Sequence, residues 1–142
     1  MEKFEEFCDL LKEYIKNIEK ITSWERDLTN LASCEQHALI ETHVQKIQPV
    51  FLQYRGLEAE RLQWMKANGF EGLNGKELME ELSEPEKEIY KPIYERLCNV
   101  CEDMKREEEN CNRILSLRLS DIKLLLLEHS EELKRKQTDF YV

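Results

Sequence analysis

The side chains in this chain that could bind a metal or do redox chemistry are five cysteines and three histidines. Cys98 and Cys101 form a C-x-x-C pair, a spacing found in zinc and dithiol sites. The pair lies in the middle of a predicted helix, and Cys111 and His129 come several turns later, so a metal site would need ligands from elsewhere. Because a free cysteine packs as a small apolar residue, we interpret these thiols as packing residues and expect no metal ligands among them.

The distribution of the cysteines also argues against a disulfide framework. They are odd in number and scattered over the predicted helices, which suits reduced thiols in a cytosol. The five are Cys8, Cys34, Cys98, Cys101 and Cys111. We therefore expect a reducing agent to leave the melting temperature unchanged, and a large drop would reveal a structural disulfide.

The sequence carries no recognisable catalytic motif. It has no glycine-rich phosphate loop, no H-E-x-x-H zinc motif and no G-x-S-x-G nucleophile motif. His37 and His43 lie six residues apart on different faces of a predicted helix, and the lysine-glycine pair that usually follows a phosphorelay histidine is missing after His37. We expect no enzyme activity, no catalytic or cofactor-binding residue and no cofactor.

Composition and charge limit the classes of partner. The chain has 142 residues, 41% hydrophobic and 36% charged, with four glycines and three prolines, a balance typical of one extended helical bundle. Its formal net charge of −9 disfavours nucleic acids and anionic membranes, which need positive charge. No apolar run approaches the length of a membrane span, and the N-terminal residues MEKFEEF do not resemble a signal peptide. We expect a cytoplasmic protein with no membrane insertion.

Two long helices are predicted in the first half of the chain. Residues 2–33 have an apolar a/d heptad that is broken only at Glu25. The capping pattern from Ser33 to Gln36 predicts that a second helix begins there, with Pro49 bending it or splitting it at Gln48. Its end is predicted at Asn68, before a glycine. The apolar stripe of the first helix is Phe4, Phe7, Leu11, Tyr14, Ile18, Ile21, Leu28 and Ala32, and that of the second is Ile40, Val44, Ile47, Phe51, Tyr54, Leu57, Leu62 and Met65.

A short helix and a third long helix are predicted in the second half. Asn74 with Glu77 predicts the short loop helix, and Ser83 with Glu86 predicts the start of the last helix over residues 85–128. Pro92 predicts a kink or a restart. The inward stripe contains Tyr90, Ile93, Leu97, Val100, Met104, Cys111, Leu115, Leu119, Ile122 and Leu126. We predict an all-α fold, an antiparallel and coiled-coil-like bundle of three long helices plus the loop helix, in one domain over residues 1–128. Residues 129–142 are predicted to be a frayed or disordered tail.

The end of the last helix has a second apolar face. At 100° per residue, Leu117 and Leu124 point almost directly away from the inward stripe. The last helix is also longer than its neighbours, and about ten residues around 117–127 would extend past them at 1.5 Å per residue. An unsupported helix with a spare apolar face indicates a surface that binds a partner. The predicted partner-binding residues are Leu117, Ile122, Leu124, Leu125 and Leu127.

The order of these features resembles the flagellar export chaperones of the FlgN type. The similar segments are WERDLTNL at residues 24–31, GLEAERLQWMKANG at residues 56–69 and NCNRILSLRLSDIKLLLLE at residues 110–128. The resemblance covers roughly Phe4 to Glu128. It implies a helical, cytoplasmic chaperone of type III secretion that has no cofactor and takes part in biogenesis of the bacterial flagellum.

The resemblance also implies the partners. Chaperones of this family bind a disordered C-terminal segment of a hook-associated protein, one of the hook-filament junction proteins, through their last helix. They keep this client unassembled and deliver it to the flagellar export gate. A tyrosine late in the chain contacts the gate in that family, and Tyr141 is the positional candidate here. The alternative is a helical adaptor or structural bundle that self-associates through the same leucines, as a homodimer for example.

Overall fold

The computed structural model of the chain describes the backbone of residues 2–141 and the side chains of residues 3–128 and 131. Within these residues every regular element is an α-helix. The helices are α1 (Glu2–Ser33), α2 (His37–Lys46), α3 (Gln48–Ala67), α4 (Gly75–Glu81) and α5 (Glu84–Tyr141). The predicted all-α bundle of long helices with a short loop helix is therefore confirmed.

Helix α1 is the centre of the bundle, since α2, α3 and α5 all pack against it. Every member of its predicted heptad stripe is buried, which confirms that prediction. A second row at seven-residue spacing, Cys8, Ile15, Thr22 and Thr29, is buried too and widens the apolar face enough to take helices on two sides. The two threonines are accommodated because their hydroxyls donate to the carbonyl oxygens of Ile18 and Glu25 one turn earlier.

The long helices run up, down and up. The start of α1 lies beside the end of α3, where Trp64 Nε1 donates to the Lys3 carbonyl oxygen at 3.1 Å. In contrast, α1 and α5 run in the same direction, because Glu19 pairs with Arg96 and the later Arg26 pairs with the later Glu107. Over the described residues no Cα atom of α3 lies within 8 Å of a Cα atom of α5, although side chains of both helices, such as Met65 and Tyr90, belong to one core cluster. Both helices pack mainly on α1, and a groove runs between them.

A polar cluster joins α1 to α3 along this groove. The Tyr14 hydroxyl donates to Glu58 Oε2 at 2.6 Å, and Arg61 donates to Glu58 Oε1 at 2.6 Å. Burial alone would raise the pKa of the Glu58 carboxyl, but the bonds from Arg61 and Tyr14 outweigh it and hold that pKa below its ordinary value. Burial and the bond to Glu58 raise the pKa of the Tyr14 phenol. The carboxylate is thus fully paired, as a half-buried charge requires.

The predicted cap at Ser33 is wrong. Ser33 is the last residue of α1, and α2 begins at His37 without a side-chain cap. The turn between them is a Schellman arrangement, in which the amide of Gln36 donates to the Leu31 carbonyl oxygen at 2.9 Å. Glu35 supplies the left-handed residue of that turn, with φ of 57°. Backbone amides therefore satisfy the Leu31 and Ala32 carbonyl groups at the end of α1.

The second predicted helix is divided in two at Ile47, one residue from the predicted split. Pro49 lies in the first turn of α3, where its missing amide costs no hydrogen bond. Two residues of the predicted stripe, Val44 and Leu62, are exposed rather than inward. The prediction that these two side chains point inward is wrong, because the break at Ile47 and the position of α3 on α1 change which face of each helix meets the core.

The remaining helix ends follow the predicted signals. Helix α3 ends before Gly69, which has φ of 80°, and the amide of Phe70 donates back to the Met65 carbonyl oxygen. Asn74 and Glu77 form the capping box of α4. Glu86 Oε1 accepts from the Ser83 amide at 3.0 Å at the start of α5. Helix α5 then continues through Pro92 without a restart.

Replacing Gly75 by alanine should destabilise the bundle. A Cβ at this position would overlap the Tyr94 ring and lie 3.2 Å from the Tyr90 hydroxyl, which donates to the Gly75 carbonyl oxygen. We expect Gly75→Ala to lower the free energy of unfolding by about 1 to 3 kcal/mol in urea denaturation. Gly56→Ala is the matched control, because nothing lies within 4 Å of its Cβ position in α3. There we expect a gain of about 0.5 to 1 kcal/mol from the better helix propensity. Equal effects of the two substitutions would contradict the close approach of α4 to α5.

Candidate partner-binding surface

Among the described side chains, the last hydrogen bonds from α5 to the rest of the bundle are made by Arg118. Its guanidinium donates to the carbonyl oxygens of Ala32 and Ser33, at 3.0 and 2.8 Å, and thereby caps the last turn of α1. It also lies 3.2 Å from Glu35 and 3.6 Å from Asp121. A cation at this place is favourable because the free carbonyl groups at the end of a helix carry partial negative charge. Helix α5 continues to Tyr141 past this cap, which is roughly 35 Å further at 1.5 Å per residue.

A dense set of exposed apolar side chains lies around and beyond that cap. All seven large apolar residues from 117 to 127 are exposed, between 42% and 65% of each side chain. They are Leu117, Leu119, Ile122, Leu124, Leu125, Leu126 and Leu127, and we call them the apolar overhang. All five predicted partner-binding residues belong to it, and their role in binding stays a prediction.

The predicted inward stripe of α5 is confirmed only for the part of α5 that lies beside α1. Tyr90, Ile93, Val100 and Cys111 are buried, and Leu115 is half-buried. By contrast, Leu119, Ile122 and Leu126 were expected to pack inward, and they are exposed. The physical reason is that α1 ends at Ser33, which lies beside Arg118. The part of the stripe that follows Arg118 therefore has no residues of α1 to pack against.

Apolar residues occur on every side of the helix in the overhang. Residues 124–127 are four successive leucines, and at 100° per residue they cover every direction around the helix axis. The charges within residues 117–128 sum to zero, because Arg118 and Lys123 offset Asp121 and Glu128. The chain as a whole carries −9. A helix that lies on a membrane surface has a basic face instead. This surface therefore suits a protein segment that covers leucines on more than one side.

The C-terminal candidate lies beyond the described side chains. The backbone is helical as far as Tyr141, but the side chains of Tyr141 and His129 are outside the described residues. Tyr141 as an export-gate contact and residues 129–142 as a frayed or disordered tail both stay predictions.

Four of the five cysteines and His43 have packing environments, whereas Cys34 is exposed. Cys8 and Cys111 are buried, Cys98 and Cys101 are half-buried, and all five thiols are free. Burial raises the pKa of the Cys8 thiol to about 11, which disfavours the reactive thiolate. The His43 ring stacks on Trp24, and its Nε2 lies 2.9 Å from the Trp24 carbonyl oxygen. The contact between His43 and Trp24 joins α2 to α1.

Sequence reasoning overlooked Glu25. It was interpreted as a break in the heptad, yet its carboxyl is buried in the bundle, with 8% of the residue exposed. Its Oε2 atom has no hydrogen-bond partner among the described residues. The heptad pattern contained a signal that Glu25 is buried, because Glu25 occupies a heptad position whose other members all point inward. A charged residue at such a position is unusual and merits attention as a functional candidate.

Other classes of site have little support in the described part of the chain. Among those residues no cluster of three or more His, Cys, Asp or Glu side chains has the geometry of a metal site. None of the helices there contains a segment both long and apolar enough for a membrane span. Comparisons with protein-family models, with characterised proteins and with solved structures return no match for this chain, so its function is argued from the geometry of these surfaces.

Proposed function

We propose that this protein is a cytoplasmic export chaperone of the FlgN type. In this proposal it binds the disordered C-terminal segment of a flagellar hook-associated protein, keeps that client unassembled, and delivers it to the type III export gate. The observation that carries the proposal is the apolar overhang, whose seven exposed large apolar residues extend past the Arg118 cap. So many exposed leucines on one helix mark a surface that is covered when the protein works.

The overhang suits a disordered client better than a folded one. A rigid partner surface would cover one side of the helix, whereas residues 124–127 present leucines on all sides. A flexible segment can fold into an amphipathic helix along α5 and wrap around it. Binding that also orders the client lowers the affinity per unit of buried area, which suits a chaperone that has to release its cargo.

The mass of the protein in solution tests this function. We expect sedimentation equilibrium to give a monomer or a weak dimer without client. Addition of a peptide with the C-terminal sequence of a hook-associated protein should give a stable complex of defined stoichiometry. A scrambled peptide of the same composition is the control. Failure of every hook-associated C-terminal peptide to bind would contradict the proposal.

The second candidate is a helical adaptor that self-associates. It is favoured by the same four successive leucines, because two overhangs packed against each other would also bury them. The adaptor predicts a stable oligomer without any peptide. It further predicts that polar substitutions at Leu117 and Leu124 convert this oligomer to a monomer, so the sedimentation experiment separates the two functions.

A further inference from the structure

A cavity that is partly open to solvent lies in the groove between α3 and α5, and none of the overhang residues lines it. Its volume is about 420 Å³, and residues of α1, α3 and α5 line it. Most of the lining is apolar: Ile21, Trp24, Leu28, Phe51, Met104 and Leu115. The cavity lies where α3 and α5 both pack on α1 and no Cα atoms of the two helices come within 8 Å of each other. Its shape and lining suit an elongated apolar side chain or a helix face.

Glu25, which lines this cavity, carries a charge that no described residue neutralises. Glu25 lines the cavity, is about nine-tenths buried, and has an Oε2 atom with no hydrogen-bond partner in the described part of the chain. A buried carboxylate without a partner is costly, so its retention in an otherwise apolar heptad calls for an explanation. A cation supplied by another molecule would remove that cost.

The surroundings of Glu25 make the cavity more negative. On α5, Glu107 and Glu108 both act on Glu25, and Glu108 also lines the cavity. Arg26 on α1 pairs with Glu107 at 3.3 Å rather than with Glu25. From α3 the lining residues are the uncharged Phe51 and Tyr54, and no lysine or arginine lines the described cavity. Burial, Glu108 and Glu107 together raise the pKa of Glu25 to about 7, in keeping with the absence of a cation beside it among the described residues.

We propose that this groove binds an amphipathic peptide segment of a partner protein that inserts one lysine or arginine side chain toward Glu25. The long alkyl stem of either residue would fill the apolar part of the cavity while its cationic end pairs with the carboxylate. Flanking apolar residues of the segment would lie along α3 and α5. The inference is independent of the proposed function, since the cavity and the apolar overhang are different surfaces.

The test uses two capped, fluorescently labelled helical peptides made of leucine, alanine and glutamine. One has a single central arginine and its twin has glutamine there. Fluorescence anisotropy at pH 8, where Glu25 is ionised, should show at least tenfold tighter binding of the arginine peptide. The preference should disappear in Glu25→Gln. Failure of the arginine peptide to bind, or equal affinity for both peptides, would overturn the proposal.

Two control variants exclude other origins of the preference. Glu109→Gln removes the same charge from an exposed position on α5 and should keep the preference. If Glu25→Gln and Glu109→Gln weaken it equally, the effect is general attraction to an acidic protein and the proposal fails. The double variant Leu117→Gln with Leu124→Gln should also keep the preference. Its loss there would place the peptide on the overhang instead of in the cavity and would equally overturn the proposal.

Discussion

The double variant Leu117→Gln with Leu124→Gln should bind a hook-associated C-terminal peptide at least about a hundredfold more weakly than the parent. Each buried leucine contributes about 1.5 to 3 kcal/mol when its apolar surface leaves water, and each 1.4 kcal/mol is about tenfold in affinity. Both side chains are more than half exposed, at 57% and 58%, so their loss should leave the melting temperature nearly unchanged. Glutamine is a good helix former, which preserves α5 itself. Isothermal titration and thermal melting measure the two effects.

The matched control places the same substitutions on the inward side of α5. Leu97 and Met104 are half-buried and pack against the core. Leu97→Gln with Met104→Gln should therefore lower the melting temperature markedly, because polar groups are buried without partners. If the outward variant melts as early as the inward one, Leu117 and Leu124 are core residues. If it binds the peptide as tightly as the parent, the binding surface lies elsewhere.

Replacing Glu25 by glutamine should stabilise the protein above neutral pH. The pKa of Glu25 is raised from 4.5 to about 7, first by burial and then by Glu108 and Glu107. The folded protein thus holds a proton that the unfolded chain releases near pH 4.5, and the stabilisation from this group is lost as pH rises through 7. The shift corresponds to at most about 3 kcal/mol. We expect Glu25→Gln to be about 1 to 3 kcal/mol more stable than the parent at pH 8 and close to it at pH 5.

Urea denaturation of both proteins at several pH values measures this difference. The comparison with the parent is necessary because the pKa values of Glu58 and Glu86 are lowered, so these two groups lose their stabilisation as pH falls, in the opposite sense. Glu109→Gln removes an exposed charge and should change the free energy of unfolding by less than about 0.5 kcal/mol at either pH. A constant difference between parent and Glu25→Gln across pH 5 to 8 would show that Glu25 is solvated.

Periodicity predicted the α1 core because every heptad position of that helix meets another helix. The same reasoning was wrong for Leu119, Ile122 and Leu126, since a stripe shows which face is apolar but not where the neighbouring helix ends. It was also wrong at Ser33, because a backbone Schellman turn through Glu35 resembles a side-chain cap in sequence. The sequence therefore predicts which segments are helical and which face of each helix is apolar. The length over which two helices pack against each other depends on the tertiary structure.

The candidate surfaces were predictable to different degrees. The overhang followed from helix lengths and from leucines on a second face, and the structure places those leucines in the exposed part of α5. The cavity at Glu25 could not be predicted, because it depends on α3 and α5 both packing on α1 while remaining apart from each other. No local pattern in either helix reports that separation.

Hydrogen exchange of the full chain with and without a hook-associated C-terminal peptide tests directly whether a client binds along the apolar overhang. Amides of a helix segment that has no neighbours exchange readily, and a client laid along that segment should protect them. A saturating peptide should slow exchange in residues 117–128 and leave exchange in the already protected core of α1 unchanged. Unaltered exchange in residues 117–128 at saturation would contradict it.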